Sequence, residues 1–192
     1  MISKTAMITI CGRPNVGKST LTNALVGEKI AIVSNKPQTT RNRISAVVNR
    51  GDTQFVIIDT PGFHKPRTRL GDYMVNVVKE SVVDVDAVML LVEPISNIGR
   101  QEEELIARIK ETGVPAILVI NKIDTVEKTE LLEVMALYSA AHDFDAIIPM
   151  SAKNGEGIDE LLAELEKYAQ EGPQLFPDDM ICDCLLYTSD AA

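Results

Sequence analysis

With 192 residues, 45% of them hydrophobic, the chain can bury one sizeable core and is most simply a single domain of ordinary globular composition. Its longest apolar runs, around Val85 to Val92 and Val114 to Ile120, fall far short of the roughly 18 residues a membrane span needs, and Cys11, Cys182 and Cys184 make neither a disulfide framework nor a four-ligand zinc site, so a reducing cytoplasm is expected. The formal charge of −9 is unevenly spread: residues 1–70 carry 11 Lys/Arg against 3 Asp/Glu, and residues 71–192 carry 8 against 25, which fits a polyanionic ligand at the basic half and argues against a broad nucleic-acid grip by the rest.

Met1-Ile2-Ser3-Lys4 leads into a strand rather than a signal-peptide apolar region. Apolar runs without clean alternation, separated by helical patterns, predict βα units around a buried, mostly parallel sheet. Strands are predicted near Met7 to Cys11, Ile44 to Asn49, Gln54 to Asp59, Ala87 to Val92, Ala116 to Asn121 and Ala146 to Met150. Only a few residues around Arg50-Gly51-Asp52 separate the second from the third, too few for a crossover, so that pair is an antiparallel hairpin.

The first helix follows the first strand, buries Leu21, Ala24 and Leu25 and ends at Gly27. A second is predicted over about Leu70 to Val83, a third over Gln101 to Glu111 with Gly113 and Pro115 beyond it, and a fourth over Thr129 to Ala141. The fifth, about Ile158 to Ala169, sets Ile158, Leu161, Leu162 and Leu165 on one face and stops at Gly172-Pro173. The class is therefore α/β: a six-stranded, mostly parallel sheet with one antiparallel strand and helices on both faces. Such sheets bind ligands at the carboxyl ends of their strands.

Every informative motif falls at one of those ends. Gly12-Arg13-Pro14-Asn15-Val16-Gly17-Lys18-Ser19, followed by Thr20, fits G-x-x-x-x-G-K-[ST] between a strand and a helix. Backbone N–H groups of such a turn cradle phosphate, Lys18 adds a point charge, and the Ser19 hydroxyl is placed to ligate Mg²⁺. Asp59-Thr60-Pro61-Gly62, with Phe63 next, follows the third strand. Alone it is an ordinary turn; after a phosphate loop it reads as a γ-phosphate sensor, with Asp59 reaching Mg²⁺ through water and Gly62 N–H donating to phosphate.

Asn121-Lys122-Ile123-Asp124 discriminates best. The Asp124 carboxylate can accept from N1–H and the exocyclic amine of guanine, whereas adenine offers no such donor pair. Lys122 would lie along base and ribose, and Asn121 would tie its loop to the phosphate turn. Ser151-Ala152-Lys153 offers backbone N–H groups for the guanine O6. In Pro37-Gln38-Thr39-Thr40-Arg41 a hydroxyl, Thr40 in preference to Thr39, would close the site on Mg²⁺. His64, Arg41 and Arg43 read as solvated loop residues, and the methionines as packing.

Together and in this order, these segments resemble the Era-type GTPases, of the TrmE-Era-EngA-like family within the translation-factor class. The residues that carry the likeness are GRPNVGKSTL at 12–21, KPQTTRNRI at 36–44, DTPGFHKP at 59–66, NKID at 121–124 and SAKNGEGID at 151–159, and it covers about Ala6 to Asp183. The resemblance implies a Ras-like P-loop domain that binds GTP and GDP with Mg²⁺, hydrolyses GTP and switches between nucleotide states, with Lys18, Thr40, Gly62 and Asn15 as its catalytic group. Phe63 stands where Ras-type enzymes carry the glutamine that orients water, so turnover is expected to be slow. The resemblance further implies K⁺ in place of an arginine finger, with Asn15 as its ligand, and 16S rRNA and the 30S subunit as partners.

Residues 1–172 are expected to form the GTPase domain, 173–183 a linker toward an RNA-binding KH domain whose G-x-x-G loop is absent, and 184–192 a non-family, disordered tail. A cytoplasmic monomer is expected, with peripheral association at the inner face of a membrane compatible with it. Two competing readings are a nucleotide-gated binding module with negligible turnover and, more distantly, a P-loop ATPase.

Overall fold

The computed structural model describes residues 2–26, 44–59 and 85–176. They form, in order, β1 (Lys4–Gly12), α1 (Lys18–Val26), β2 (Ile44–Arg50), β3 (Thr53–Asp59), β4 (Ala87–Val92), α2 (Arg100–Thr112), β5 (Ala116–Ile120), α3 (Lys128–Ala141), β6 (Ala146–Pro149), α4 (Ile158–Leu165) and β7 (Gln170–Glu171), with 3₁₀ turns at Ile123–Thr125 and Glu166–Tyr168. The helix predicted over Leu70 to Val83 lies outside the described residues. Among the described residues no helix is long and apolar enough to cross a membrane.

The strand order is β2-β3-β1-β4-β5-β6. Pairing is parallel from β3 through β1, β4 and β5 to β6, and β2 and β3 form the expected antiparallel hairpin. Register places Ile10 beside Asp59, Gly12 beside Leu91, Val92 beside Ile120 and Ile120 beside Pro149. The carboxyl ends of β1, β3, β4, β5 and β6 therefore share one rim.

Successive side chains along a strand point to opposite faces, and both faces here are covered. Ala87, Met89 and Leu91 of β4 join Ile117 and Val119 of β5 in a core completed by Leu21 and Leu25 of α1 and by Ile158, Leu161, Leu162 and Leu165 of α4. Val88, Leu90 and Val92 join Leu118 and Ile120 in a second core, closed by Leu105, Ile106 and Ile109 of α2 and by Val134 and Tyr138 of α3. That double coverage explains why these strands read as unbroken apolar runs.

Six strands are expected from the sequence and seven are present among the described residues. The fifth predicted helix stops at Leu165 instead of Ala169, tightens into the Glu166–Tyr168 turn, and gives way to β7, which pairs antiparallel with Lys4 and Thr5 of β1. The reason is an open edge. β4 joins β1 only from Ile8 onward, which leaves the first residues of β1 with backbone groups to satisfy on that side.

The chain beyond β7 stays on the sheet as well. Gly172 N–H donates to Ser3 O at 3.1 Å and Thr5 Oγ1 to Pro173 O at 3.2 Å. The fully buried Gln54 of β3 donates through Nε2 to Phe176 O at 2.9 Å and accepts at Oε1 from the N–H groups of Leu175 and Phe176, both at 3.0 Å. Residues 173–176, expected to begin a linker, are thus bonded to the sheet at the end opposite the loop-bearing rim.

Candidate functional site

The turn from β1 into α1 has the shape its glycines require. Gly17 sits at φ +102°, and a Cβ there would run into Nδ2 of Asn121. A Cβ on Gly12 would stand 2.5 Å from Leu91 O and 3.1 Å from Val16 Cγ2. Asn15 takes the left-handed conformation (φ 65°), and the buried Val16 anchors the turn in the core. Lys18, the first residue of α1, lays its ammonium back over the turn, donating to Gly12 O at 2.8 Å and Arg13 O at 3.2 Å. Ser19 and Thr20 are exposed in the first turn of α1, and Pro14 and Asn15 are exposed in the loop.

The loop after β5 reaches this turn directly. Asn121, 3% exposed, donates from Nδ2 to Val16 O at 2.9 Å and accepts at Oδ1 from Ala152 N–H at 3.0 Å. One amide thereby joins the loops after β1, β5 and β6. Lys122 has a left-handed backbone (φ 62°), and its ammonium donates to Asn15 O at 2.8 Å.

Asp124, exposed in the 3₁₀ turn that follows, accepts at Oδ1 from the Ser151 hydroxyl at 2.7 Å. The buried Ser151 thus orients the carboxylate while the residue remains open to solvent. The N–H groups of Ser151 and Ala152, expected to face a base, are engaged by Glu156 O at 2.9 Å and by Asn121 Oδ1. Ser151 contributes its hydroxyl instead, and the exposed Lys153 is the outermost member of the triplet.

Two residues absent from the sequence reading complete the rim. Glu93, directly after β4, pairs through Oε1 with the Lys122 ammonium and through Oε2 with Arg13 Nη2, the latter at 3.3 Å. Glu102 in the first turn of α2 pairs with Arg13 Nε and is only 3% exposed. Arg13 was expected to bind nucleotide as a member of the phosphate turn. Its guanidinium is committed to these two carboxylates, so the loop presents its backbone. A signal for Glu102 existed: it falls on the buried stripe of α2 with Leu105, Ile106 and Ile109, where an unpaired acid would be costly. Burial, and then the Glu102 carboxylate, raise the Tyr138 hydroxyl on the neighbouring helix above its ordinary range.

Residues 7–122 match the protein family described as 50S ribosome-binding GTPase. The chain belongs to this GTPase family. Within it, the chain is similar to GTPase Era of Ruminiclostridium cellulolyticum, 48% identical over 183 residues that make up 95% of this chain and 61% of that protein. It also resembles two solved structures: an Aquifex aeolicus Era variant bound to GDP·AlF₄⁻ (38% identity, TM-score 0.78, 94% of this chain and 62% of the other), and Era in complex with MgGDPNP and nucleotides 1506–1542 of 16S ribosomal RNA (37%, TM-score 0.79, 93% and 61%). The chain therefore spans about three-fifths of the length of these Era proteins.

In this family member the described rim gathers residues 12–20 with Asn121, Lys122, Asp124 and 151–153. Asp59 closes β3 beside Ile10 of β1, so its backbone stands at the same rim. Thr40, Thr60, Pro61, Gly62 and Phe63, together with Arg41, Arg43 and His64, lie outside the described residues.

Proposed function

We propose that this rim binds a guanine nucleotide, its phosphates in the Gly12–Ser19 turn and its base against Asp124, and that the protein hydrolyses GTP slowly to GDP and phosphate as a nucleotide-dependent switch. The observation that carries the reading is the pair of hydrogen bonds made by the Asn121 amide, one donated to Val16 O and one accepted from Ala152 N–H, which ties the phosphate turn to the loops that carry Asp124 and Ser151. An orienting hydroxyl on a solvent-facing carboxylate suits a ligand with two adjacent N–H donors, which guanine has and adenine lacks. Sites built on such donors reject the analogue without them by about 10⁴-fold or more.

The chemistry of the loop fits polyphosphate. Gly17 leaves a cradle that a Cβ would fill, and Lys18 rests on carbonyl groups that its ammonium could leave for phosphate oxygens. Ser19, at the start of α1, and Asp59, at the end of β3, with Thr40, are the residues we assign to Mg²⁺, which when bound neutralises charge on the phosphate oxygens. Asp59, Thr60, Pro61, Gly62 and Phe63 would then meet the γ-phosphate. The exposed, left-handed Asn15 is the residue we assign to K⁺.

Competition tests the nucleotide assignment. Fluorescent GDP bound to the protein should be displaced by GTP and GDP but not by ATP at comparable concentration; equal displacement by ATP would overturn it. Hydrolysis should be faster in K⁺ than in Na⁺, and Asn15→Ala should remove the difference. The likeness to an Era protein seen with 16S rRNA supports a cytoplasmic role in small-subunit assembly for the protein to which this domain belongs, testable by single-turnover hydrolysis with and without 30S subunits.

A further inference from the structure

The carboxylate of Glu93 stands between two cations from different loops. Lys122, in the loop after β5, and Arg13, in the loop after β1, each take one of its oxygens. Lys122 makes a second bond, to Asn15 O in the phosphate turn. Arg13 is held from behind by Glu102 on α2, whose side chain is 4% exposed against 32% for Arg13 and 26% for Glu93. The chain Lys122–Glu93–Arg13–Glu102 therefore contains two positive and two negative groups, runs from the solvent-facing rim into the core, and adds no net charge beside the phosphate turn.

Such an arrangement needs a reason. A lone carboxylate next to a polyphosphate site repels the ligand, so Glu93 is tolerable only while both cations neutralise it. Lys122 also adopts a backbone conformation that lysine seldom chooses, and a long, hydrated side chain loses considerable freedom when fixed. The pairing to Glu93 supplies the fixing, and the buried Glu102 keeps Arg13, and through it Glu93, from swinging into solvent.

We propose that Glu93 is a positioning residue for base recognition: braced through Arg13 by Glu102, it holds the Lys122 ammonium against the phosphate turn, setting base-binding and phosphate-binding loops at one separation before a nucleotide arrives. The inference rests on the guanine-site reading above. It adds to that reading a residue from a strand end that none of the nucleotide motifs includes.

The test is a double-mutant cycle on fluorescent GDP affinity, using the wild-type chain, Glu93→Gln, Lys122→Ala and the pair. Glu93→Gln should weaken GDP about tenfold, and the same change in the Lys122→Ala background should cost less than about twofold, because contacting residues couple and a residue acting through another has nothing left to act on. A general structural role for Glu93 would instead give the same loss in both backgrounds, and that result overturns the inference, as does an affinity within twofold of wild type for Glu93→Gln alone. Glu102→Gln should shift GDP affinity in the same direction by a smaller factor. Absence of GDP binding by the wild-type chain would sink the guanine-site reading itself, whereas wild-type binding with an unaffected Glu93→Gln sinks only the positioning role.

Discussion

Asn121 donates from Nδ2 to the carbonyl oxygen of Val16, 105 positions earlier in the chain, at 2.9 Å and out of reach of solvent. With Oδ1 it accepts from Ala152 N–H. Removing the amide leaves a buried acceptor and a buried donor unmatched, and each costs about 1–3 kcal/mol. Asn121→Ala should therefore lower the unfolding free energy by about 2–6 kcal/mol in urea denaturation, and should also abolish detectable GDP binding. A variant of unchanged stability would mean that the three loops are held together by other contacts.

Replacing Asp124 separates recognition from folding. Asn at this position can still accept from the Ser151 hydroxyl, so the turn should survive and the thermal midpoint should move by no more than about 2 °C. One of its two oxygens becomes a donor, which meets the N–H donors of guanine head on. Asp124→Asn should weaken GDP by about 10²–10³-fold, read by fluorescence titration, while a nucleotide with an acceptor in place of the exocyclic amine should bind comparatively better.

Cys11 gives a prediction at high pH. Burial pushes its thiol from 9.0 up to about 12, the nearby Lys18 ammonium opposing the shift. The folded state therefore keeps a proton that the unfolded state gives up near pH 9, and unfolding is favoured as pH climbs. The contribution is fully present below about pH 9 and is lost progressively toward pH 12. The stability gap between a chain carrying only this cysteine (Cys182→Ser, Cys184→Ser) and the same chain with Cys11→Ala should shift against Cys11 across that window. At pH 8 the single thiol should resist alkylation until urea unfolds the protein.

The rim's main parts were readable from the sequence because each rests on local rules. The phosphate turn announces itself by glycines at fixed offsets, and Leu21 with Leu25, or Leu161 with Leu165, mark buried helix faces by spacing alone. What was missed depends on partners distant in sequence. No local pattern says that the Arg13 side chain will pair with Glu93 and Glu102, and β7 forms only because β4 leaves the start of β1 uncovered. Ser151 shows the same effect on a smaller scale: its type and position were foreseen, but the Ser151–Glu156 bridge turns its N–H inward and leaves the hydroxyl to meet Asp124.

Gln54 provides the last prediction. Its amide is fully buried and fully bonded, to Asn49 Oδ1 as well as to the backbone of Leu175 and Phe176. Gln54→Ala should leave the backbone groups of residues 175–176 without partners, raising amide exchange over residues 170–176 by about tenfold or more, with GDP affinity within about twofold of wild type because the rim does not contact it.

That anchorage sets a distance. β3 advances about 3.3 Å per residue, so the seven residues from Thr53 to Asp59 put roughly 20 Å between the point where the outgoing backbone is tethered and the edge where phosphate would sit. Anything joined to the protein after residue 176 starts from the far pole of the molecule. From there, extended chain advancing about 3.3 Å per residue would need roughly six residues to return to the edge where phosphate would sit.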